Sequence, residues 1–270
     1  MLTISPFINA QMSDYSDGTS ATGSYSVAMG YNTTASGDQS TAMGRSSTAS
    51  GARSTAMGYN TTASGINSTA MGRKSVASGY YSTTIGYDTR ASDFTSTVIG
   101  QYNNSLSSIT TNGSATSYDA DNTAFVIGNG TDDSNRSDAF KVMFNGDATV
   151  SNDLTVIGDI VISSDARIKS NIVSLGATLS KLLLIDGKSY TIKKYDSGKQ
   201  KIGLLAQDIE KVFPELVLES NGVKSVNYQG LVPVLINALK EQDSKMKEQE
   251  NKMNEQEARI ERLEKLLLNS

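Results

Sequence analysis

The chain has 270 residues, a net charge of −4, and neither cysteine nor histidine. Without cysteine there is no disulfide framework and no thiol chemistry, and without histidine the commonest metal ligand and general base is missing. The negative net charge provides no electrostatic attraction for nucleic acid or for an anionic membrane. No apolar run is long enough to span a membrane, and the N-terminal residues do not resemble a secretory signal. We therefore expect no cofactor, no metal, no nucleic-acid partner and no membrane insertion.

After a short N-terminal segment, 1–22, residues 23–100 repeat a fourteen-residue unit rich in Gly, Ala, Ser and Thr. One half of the unit reads SerThrAlaMetGly and the other half reads AlaSerGly. Fourteen residues suit one coil of two short strands and two tight turns, with Ala pointing inward and Gly at every seventh position supplying a positive φ. One apolar position stays in register, which argues against a disordered Gly/Ser linker. It is occupied by Met29, Met43, Met57, Met71, Ile85 and Ile99.

This repeat, for example NSTAMGRKS at 67–75, resembles the YadA-like head of trimeric adhesins, which is a left-handed parallel β-roll. The resemblance implies a homotrimer in which each chain contributes one thin roll. Packing against sister chains is also expected on physical grounds, because a roll filled mainly with Ala buries little apolar area. Some tyrosines of the roll could stack on sugars, but ordinary exposed strand positions explain them equally well. These are Tyr31, Tyr59, Tyr80, Tyr81 and Tyr87.

Residues 101–163 predict a connector rich in strands. Segments 124–130 and 139–147 each read as a strand followed by an Asn-Gly turn, and residues 153–162 alternate in polarity. We interpret the region as an intertwined trimeric β stem. The acidic cluster at 132–135 lacks the spacing of a calcium loop, so it is predicted to be a polar loop.

Ser164 and Lys169 stand five residues apart in the segment SDARIK. Serine–lysine dyads are an established way to activate a hydroxyl, in which a neutral lysine takes the serine proton. The competing interpretation is an ordinary helix N-cap, since Ser-Asp before a basic segment is typical of one. Five residues correspond to about 140° on an unbroken helix, so a dyad needs the serine at or before the helix start. It also needs a desolvated lysine, which three subunits closing around the site could supply.

The blocks that follow this pair occur in a specific order. They are YTI at 190–192, KIGLLAQDIEKVFPELV at 201–217 and VNYQGLVPVLINALK at 226–240. Together with SDARIK, they resemble the intramolecular chaperone domain of phage tail spikes such as endosialidases, over residues 163–265. The resemblance implies that the domain trimerises, guides folding of the preceding fibre and then cuts itself off. It also implies that Ser164 is the nucleophile and Lys169 the general base.

The cleaved bond is predicted to join Ser163 to Ser164. The Ser164 hydroxyl reaches the carbonyl carbon before it through a five-membered ring, whereas attack on its own carbonyl would need a strained four-membered ring. Attack from a neighbouring chain would relax this preference.

The C-terminal segment 235–270, after an α/β body at 164–234, has the heptad pattern of a coiled coil. Apolar residues occupy the a positions, and three glutamines at d positions weaken the seam and define its register. The a positions are Leu239, Met246, Met253, Ile260 and Leu267. The d positions are Leu235, Gln242, Gln249, Gln256 and Leu263.

The predicted fold is thus a mainly β N-terminal part, a β-roll followed by a β stem, and then a small α/β domain that ends in a trimeric coiled coil. We expect a homotrimeric virion fibre or tail spike, made in the host cytoplasm, that binds a host-surface glycan or receptor. Its chaperone would be released by single-turnover serine endopeptidase chemistry, with no external substrate. The alternative is a trimeric surface adhesin whose C-terminal module does not cleave. A glycan hydrolase is disfavoured because the repeat lacks a pair of carboxylates in a groove.

Overall fold

A computed structural model describes residues 10–12, 18–104, 113–193, 200–220 and 222–268. The chain divides into two units, Met1–Ile160 and Val161–Ser270. In the described residues, no helix is both long enough and apolar enough to cross a membrane.

The first unit is a stack of coils, and each coil contributes one five-residue strand and one two-residue strand. The longer strands pair in parallel in the order β1-β3-β5-β7-β9-β11-β13, and the shorter ones form a second parallel sheet from β2 to β12. This confirms the predicted β-roll. The strands are Ala10–Met12 (β1), Ser20–Ala21 (β2), Val27–Tyr31 (β3), Thr34–Ala35 (β4), Thr41–Arg45 (β5), Thr48–Ala49 (β6), Thr55–Tyr59 (β7), Thr62–Ala63 (β8), Thr69–Arg73 (β9), Val76–Ala77 (β10), Thr83–Tyr87 (β11), Arg90–Ala91 (β12) and Thr97–Gln101 (β13).

Small side chains fill the inside of the roll. Each repeat places two alanines there, such as Ala42 and Ala49, and both are fully buried. Buried hydroxyls bond across coils, since Thr61 Oγ1 donates to Ser47 Oγ at 2.9 Å and Ser47 Oγ donates to the Gly58 carbonyl at 3.0 Å. The prediction that Ala points inward is therefore confirmed. The in-register apolar position, by contrast, lies on the outside, where Met57 is 37% exposed.

The two glycines of each repeat differ in φ, so the expectation that both supply a positive φ is wrong. Gly44, in SerThrAlaMetGly, does have a φ of 107°. Gly51, in AlaSerGly, does not, and an added Cβ there would lie 2.1 Å from the Gly65 carbonyl oxygen of the next coil. An added Cβ at Gly44 would also lie 2.1 Å from a carbonyl oxygen, that of Gly58, so both glycines allow close approach of backbones and only the first also supplies a positive φ. The left-handed position that follows Gly51 is held by a larger residue, such as Arg53 with a φ of 58°.

The connector continues the first sheet with three further strands. Thr123–Asn129 (β14) pairs in parallel with β13, and Asp138–Met143 (β15) and Ala148–Val150 (β16) follow antiparallel. The predicted strand at 153–162 does not form in the single chain, where these residues have no regular structure and are exposed. A strand needs to pair with another strand, and no strand among the described residues pairs with this segment.

Arg136 ties the connector to the roll. Its side chain is only 9% exposed and forms ion pairs with Asp88, which is also buried, and with Asp133. Its guanidinium also donates to the Asp88 carbonyl at 2.9 Å. In the acidic cluster, the Asp132 carboxylate accepts from Ser134 N and Asn135 N, so the cluster forms a hydrogen-bonded polar loop.

In its described residues, the second unit contains two antiparallel strand pairs and three α-helices. A small core joins its second and third helices: Ile209, Phe213, Leu216, Leu231 and Val234. The second helix places Ala206, Ile209 and Phe213 on one face and ends before Pro214, which cannot continue it. The elements are Leu179–Leu182 (α1), Lys188–Tyr190 (β17), Lys201–Gly203 (β18), Ala206–Val212 (α2), Val217–Ser220 (β19), Val223–Val226 (β20) and the 38-residue Leu231–Leu268 (α3). Short 3-10 turns span Ala166–Ile168 and Pro214–Leu216.

Candidate functional site

The predicted cleavage segment turns sharply just after Ser164. Asp165 is extended, with φ −64° and ψ 134°, and its carboxylate accepts from Arg167 N at 2.8 Å. This is N-cap geometry for the 3-10 turn Ala166–Ile168. The cap is thus provided by Asp165, and the Ser164 hydroxyl does not have that task.

The turn brings the two residues of the predicted dyad together. Lys169 follows the turn with φ −117° and ψ 150°, and its backbone N donates to the Ala166 carbonyl at 3.1 Å. Its Nζ lies 2.7 Å from Ser164 Oγ and donates a hydrogen bond to it. One tight turn therefore overcomes the angular separation that five residues would have on a continuous helix.

The acidic residue between them is engaged elsewhere. The Arg167 guanidinium forks onto the Asp165 carboxylate, with Nε at 3.0 Å from Oδ1 and Nη2 at 2.6 Å from Oδ2. This hydrogen bond lowers the pKa of Asp165 and raises that of Arg167. Among the residues that the structure describes, Lys169 forms no ion pair, so its ammonium contacts the serine rather than a carboxylate.

In the single chain this site is open to water. Residues 161–176 are all exposed, including the whole turn and both members of the pair. As arranged, the lysine donates to the serine, whereas a general base must accept the hydroxyl proton through a free lone pair. Ser164 and Lys169 are therefore in contact, but the Lys169 amine would have to be desolvated before it could act as a general base.

The tyrosines considered for sugar stacking separate into two groups. Tyr31, Tyr59 and Tyr87 occupy one register position at the ends of β3, β7 and β11. Tyr80 and Tyr81 lie in a turn elsewhere on the coil. At the first position, Arg45 and Arg73 fill the intervening coils. The sequence signal for this arrangement is the alternation of Tyr and Arg directly after the glycine that ends each longer half-unit, and the period alone does not reveal it.

Two family models match the chain. The one described as "Chaperone of endosialidase" covers residues 164–218, so it begins at Ser164 and includes Lys169. The one described as "YadA head domain repeat (2 copies)" matches four overlapping segments, 21–47, 35–61, 49–75 and 63–89. Both resemblances drawn from the sequence are thereby confirmed, and the chain carries both kinds of domain.

Two curated relatives place these domains in a particular class of protein. The chain is 30% identical over 96 residues to the long tail fiber protein Gp37 of Escherichia phage AR1 and 39% identical over 83 residues to that of Salmonella phage S16. These alignments cover 32% and 27% of this chain, and 9% and 11% of the relatives. The chain therefore carries a chaperone domain and is similar over part of its length to phage long tail fibre proteins, and it spans about a tenth of the length of these relatives.

Proposed function

We propose that the chain forms a homotrimeric segment of a virion fibre that binds the host surface. Its C-terminal chaperone domain directs trimerisation and folding, and is then released by cleavage between Ser163 and Ser164. The observation that carries the proposal is the 2.7 Å contact between Lys169 Nζ and Ser164 Oγ at the start of the chaperone-domain match.

The outer face of the roll supports association with sister chains. The in-register apolar residues form one continuous stack along the coils, the apolar ladder: Met29, Met43, Met57, Met71, Ile85 and Ile99. Met57 and Ile85 are 37% and 41% exposed in the single chain. A straight apolar stripe that runs along a threefold axis can meet the equivalent stripes of two other copies.

Helix α3 supports the same conclusion at the other end of the chain. One side of its first turns packs into the core of its own chain through Leu231, Val234 and Ala238. The heptad a and d residues lie on another side and are bare, with Leu239 70% exposed and Met253 59% exposed. A charged helix that carries an uncovered apolar seam at the 3.5-residue period is suited to a coiled coil with copies of itself.

The segment between these regions also exposes apolar side chains that nothing in its own chain covers. Ile157, Val161 and Val173 are each more than 80% exposed. Apolar side chains in such a density are normally buried. Association with sister chains would bury them, and strand pairing between chains at 153–162 would form an intertwined stem.

The proposed cleavage proceeds in two steps. Neutral Lys169 Nζ accepts the Ser164 hydroxyl proton while Oγ attacks the Ser163 carbonyl carbon. The C–N bond then breaks, the proton moves from lysine to the departing Ser164 nitrogen, and an ester joins Ser163 to Oγ. Water next attacks this ester, with Lys169 again as the base, and releases the Ser163 carboxylate and the free Ser164 hydroxyl. The amine must be neutral for both steps, and we propose that trimer closure desolvates it.

The mass of the purified protein tests this proposal. We expect two fragments, one ending at Ser163 and one beginning at Ser164. Ser164→Ala and Lys169→Ala should give an intact trimer, and so should Lys169→Arg, because a guanidinium cannot be deprotonated in a protein. The exposed neighbour Ser170→Ala is the matched control and should cleave normally. An intact wild-type chain in a folded trimer would favour the non-cleaving adhesin, and normal cleavage of Lys169→Arg would exclude lysine as the base.

Refolding tests the chaperone role separately from cleavage. Uncleaved Ser164→Ala chain and the purified fragment ending at Ser163 are each diluted from denaturant under the same conditions. We expect thermostable trimer only from the uncleaved chain, because the parallel pairings of the roll are slow to nucleate without local help. The fragment made by cleavage should nevertheless remain folded, since its escape barrier is high once it has assembled. Equal recovery from both samples would contradict the proposed chaperone role.

A further inference from the structure

A second, charged stack runs beside the apolar ladder at the ends of the longer strands. It is the Tyr–Arg ladder: Tyr31, Arg45, Tyr59, Arg73 and Tyr87. The Arg45 guanidinium carbon lies 5.6 Å from the Tyr31 ring centre and 5.5 Å from that of Tyr59. That of Arg73 lies 5.6 Å from the Tyr59 ring centre and 5.1 Å from that of Tyr87. Each guanidinium is therefore held between two aromatic rings.

This stacking determines which ligand the ladder suits. Both faces of the Tyr59 ring are covered by guanidinium groups, so that ring is not available to stack on a sugar. The planar guanidinium edges, with their N–H donors, are what the ladder presents, because Arg45 and Arg73 are exposed. A guanidinium edge matches a carboxylate in bidentate geometry. The ladder is thus suited to anions rather than to neutral sugars.

The two arginines have no counter-charge of their own. Within the described part of the chain, neither Arg45 nor Arg73 forms an ion pair, although Arg90, Arg136 and Arg167 all do. Their positions are also pre-organised, because the flanking rings restrict side chains that would otherwise lose rotamer freedom on binding. Two uncompensated, ordered cations on a protein of net charge −4 are suited to an anionic ligand.

The spacing indicates a ligand with a repeating charge. Arg45 and Arg73 are two coils apart, which is about 9 to 10 Å at the usual distance between neighbouring strands. A polysaccharide with one carboxylate on every second sugar places its charges two ring lengths apart, which is of this order. The ladder runs straight along the fibre, and a linear chain could follow it.

We infer that the Tyr–Arg ladder is a binding site for acidic, carboxylate-bearing polysaccharide. The inference rests on the proposed host-surface role and identifies the chemical class of that partner. In a homotrimer three such ladders would act together, which raises the overall affinity without any new contact.

The test uses the complete, self-processed protein on surfaces coated with hyaluronan, polygalacturonate or neutral dextran. Hyaluronan has one carboxylate per disaccharide and polygalacturonate has one on every sugar. We expect binding to both acidic polymers that weakens as salt rises, and none to dextran. The double variant Arg45→Gln/Arg73→Gln should lose at least about tenfold in affinity, because charge-assisted hydrogen bonds are the strong ones. Arg53→Gln, an exposed arginine of the roll outside the ladder, should bind as wild type does.

A second variant separates stacking from charge. Tyr59→Ala keeps both arginines but removes the ring that restricts their side chains. Affinity for the acidic polymers should therefore fall by about fivefold, because pre-organisation is lost. Tyr118→Ala, an exposed tyrosine outside the ladder, should have no effect. Trimer mass and fragment masses are measured on the same samples. A cleaved trimer without salt-sensitive binding to either acidic polymer would overturn this inference alone, and the proposed function would stand. A double variant that binds normally, or one that dissociates into monomers, would also overturn it.

Discussion

The roll and the C-terminal unit treat their apolar residues in opposite ways. In the roll, Ala42 and Ala49 are completely buried within one chain, and the coils bond to each other in register from end to end. In the C-terminal unit, one small core is buried, whereas most of α3 is bare and Leu239 is 70% exposed. The roll therefore completes its interior within one chain, whereas the C-terminal unit leaves most of its apolar surface exposed in the single chain.

The difference shows how the two regions could share the work of assembly. A stack of identical coils propagates readily once started, because each coil is a template for the next. It does not begin readily, since its first parallel pairings join residues fourteen apart with little local stabilisation. A helix with an exposed heptad seam forms from local contacts and is suited to associate with copies of itself. Under the proposed function, the second region begins an assembly that the first region extends.

The largest effect is expected at a glycine where the backbones of neighbouring coils approach each other closely. Gly51→Ala would place a Cβ 2.1 Å from the Gly65 carbonyl oxygen, and both groups are backbone that cannot move aside. We expect a loss of more than about 5 kcal/mol in the free energy of unfolding, which amounts to loss of the roll. Gly158→Ala is the control, because nothing lies within 4 Å of its added Cβ. Circular dichroism melting curves report both, and a Gly51→Ala protein that melts like wild type would contradict the close stacking of coils.

The next largest effect is expected at the apolar ladder, which is partly exposed in the single chain. Met57→Asp places a charge in the middle of the apolar ladder, and an unpaired charge buried between chains costs about 3 to 5 kcal/mol. We expect the trimer to dissociate in light-scattering measurements while each chain keeps its strands. Ile66→Asp is the control, since Asp38 occupies the equivalent position two coils earlier, where its carboxylate accepts from Ser24 N. If both variants remain trimers, the apolar ladder is not the contact between chains.

The sequence allowed more of the roll than of the connector to be predicted, and the reason is physical. A fourteen-residue period with small residues in phase permits one stacking solution, and the inward alanines follow from it. The role of Gly51 could not be read from the period, because a glycine needed for φ and a glycine needed for space look identical in the sequence. Residues 153–162 alternate as a strand should, but a strand also depends on a pairing partner, which an alternating pattern does not reveal.

The sequence indicated which residues form the candidate site but not the geometry between them. Ser164 and Lys169 stand out because no cysteine or histidine competes with them. The sequence could not assign the cap to Asp165 rather than to Ser164, since both residue types cap helices equally well. The sequence also could not predict that Lys169 is exposed in a single chain, because burial depends on which molecules surround the turn.

A smaller effect is expected at the end of the roll, where the connector is fastened to it. Arg136→Gln removes the closer ion-pair partner of the buried Asp88 carboxylate and leaves only Arg90, at 3.7 Å, whereas the partly exposed Asp133 loses little. We expect a loss of about 3 kcal/mol in the free energy of unfolding of the first unit. Lys247→Gln removes an exposed pair with Asp243 on α3 and should change the unfolding free energy by less than about 0.5 kcal/mol. Equal denaturation midpoints for wild type and Arg136→Gln would mean that the pair does not hold the connector in place.

The smallest expected effect is a pH dependence at the junction of α1 and α3. The Glu241 carboxylate accepts from Leu179 N at 3.0 Å and from Thr178 N, and these bonds lower its pKa from the ordinary value of 4.5. Because the folded pKa lies below the unfolded one, the stabilisation is complete above about pH 4.5 and is lost as the pH falls through the lowered pKa. Glu241 is on the side of α3 away from the a and d seam, so the contact secures α1 without involving other chains.

Hydrogen exchange at the amides of Thr178 and Leu179 measures this contact directly. After correction for intrinsic rates, protection of both amides should fall as the pH drops below about 4.5 in the wild type. In Glu241→Gln, protection should be lower at neutral pH and should not change over the same range, because the amide side chain does not titrate. Glu248→Gln is the control: the pKa of Glu248 is also lowered, but by Lys252, and it does not contact α1. A wild-type pH profile that persists in Glu241→Gln would mean that another group, and not Glu241, holds α1 against the long helix.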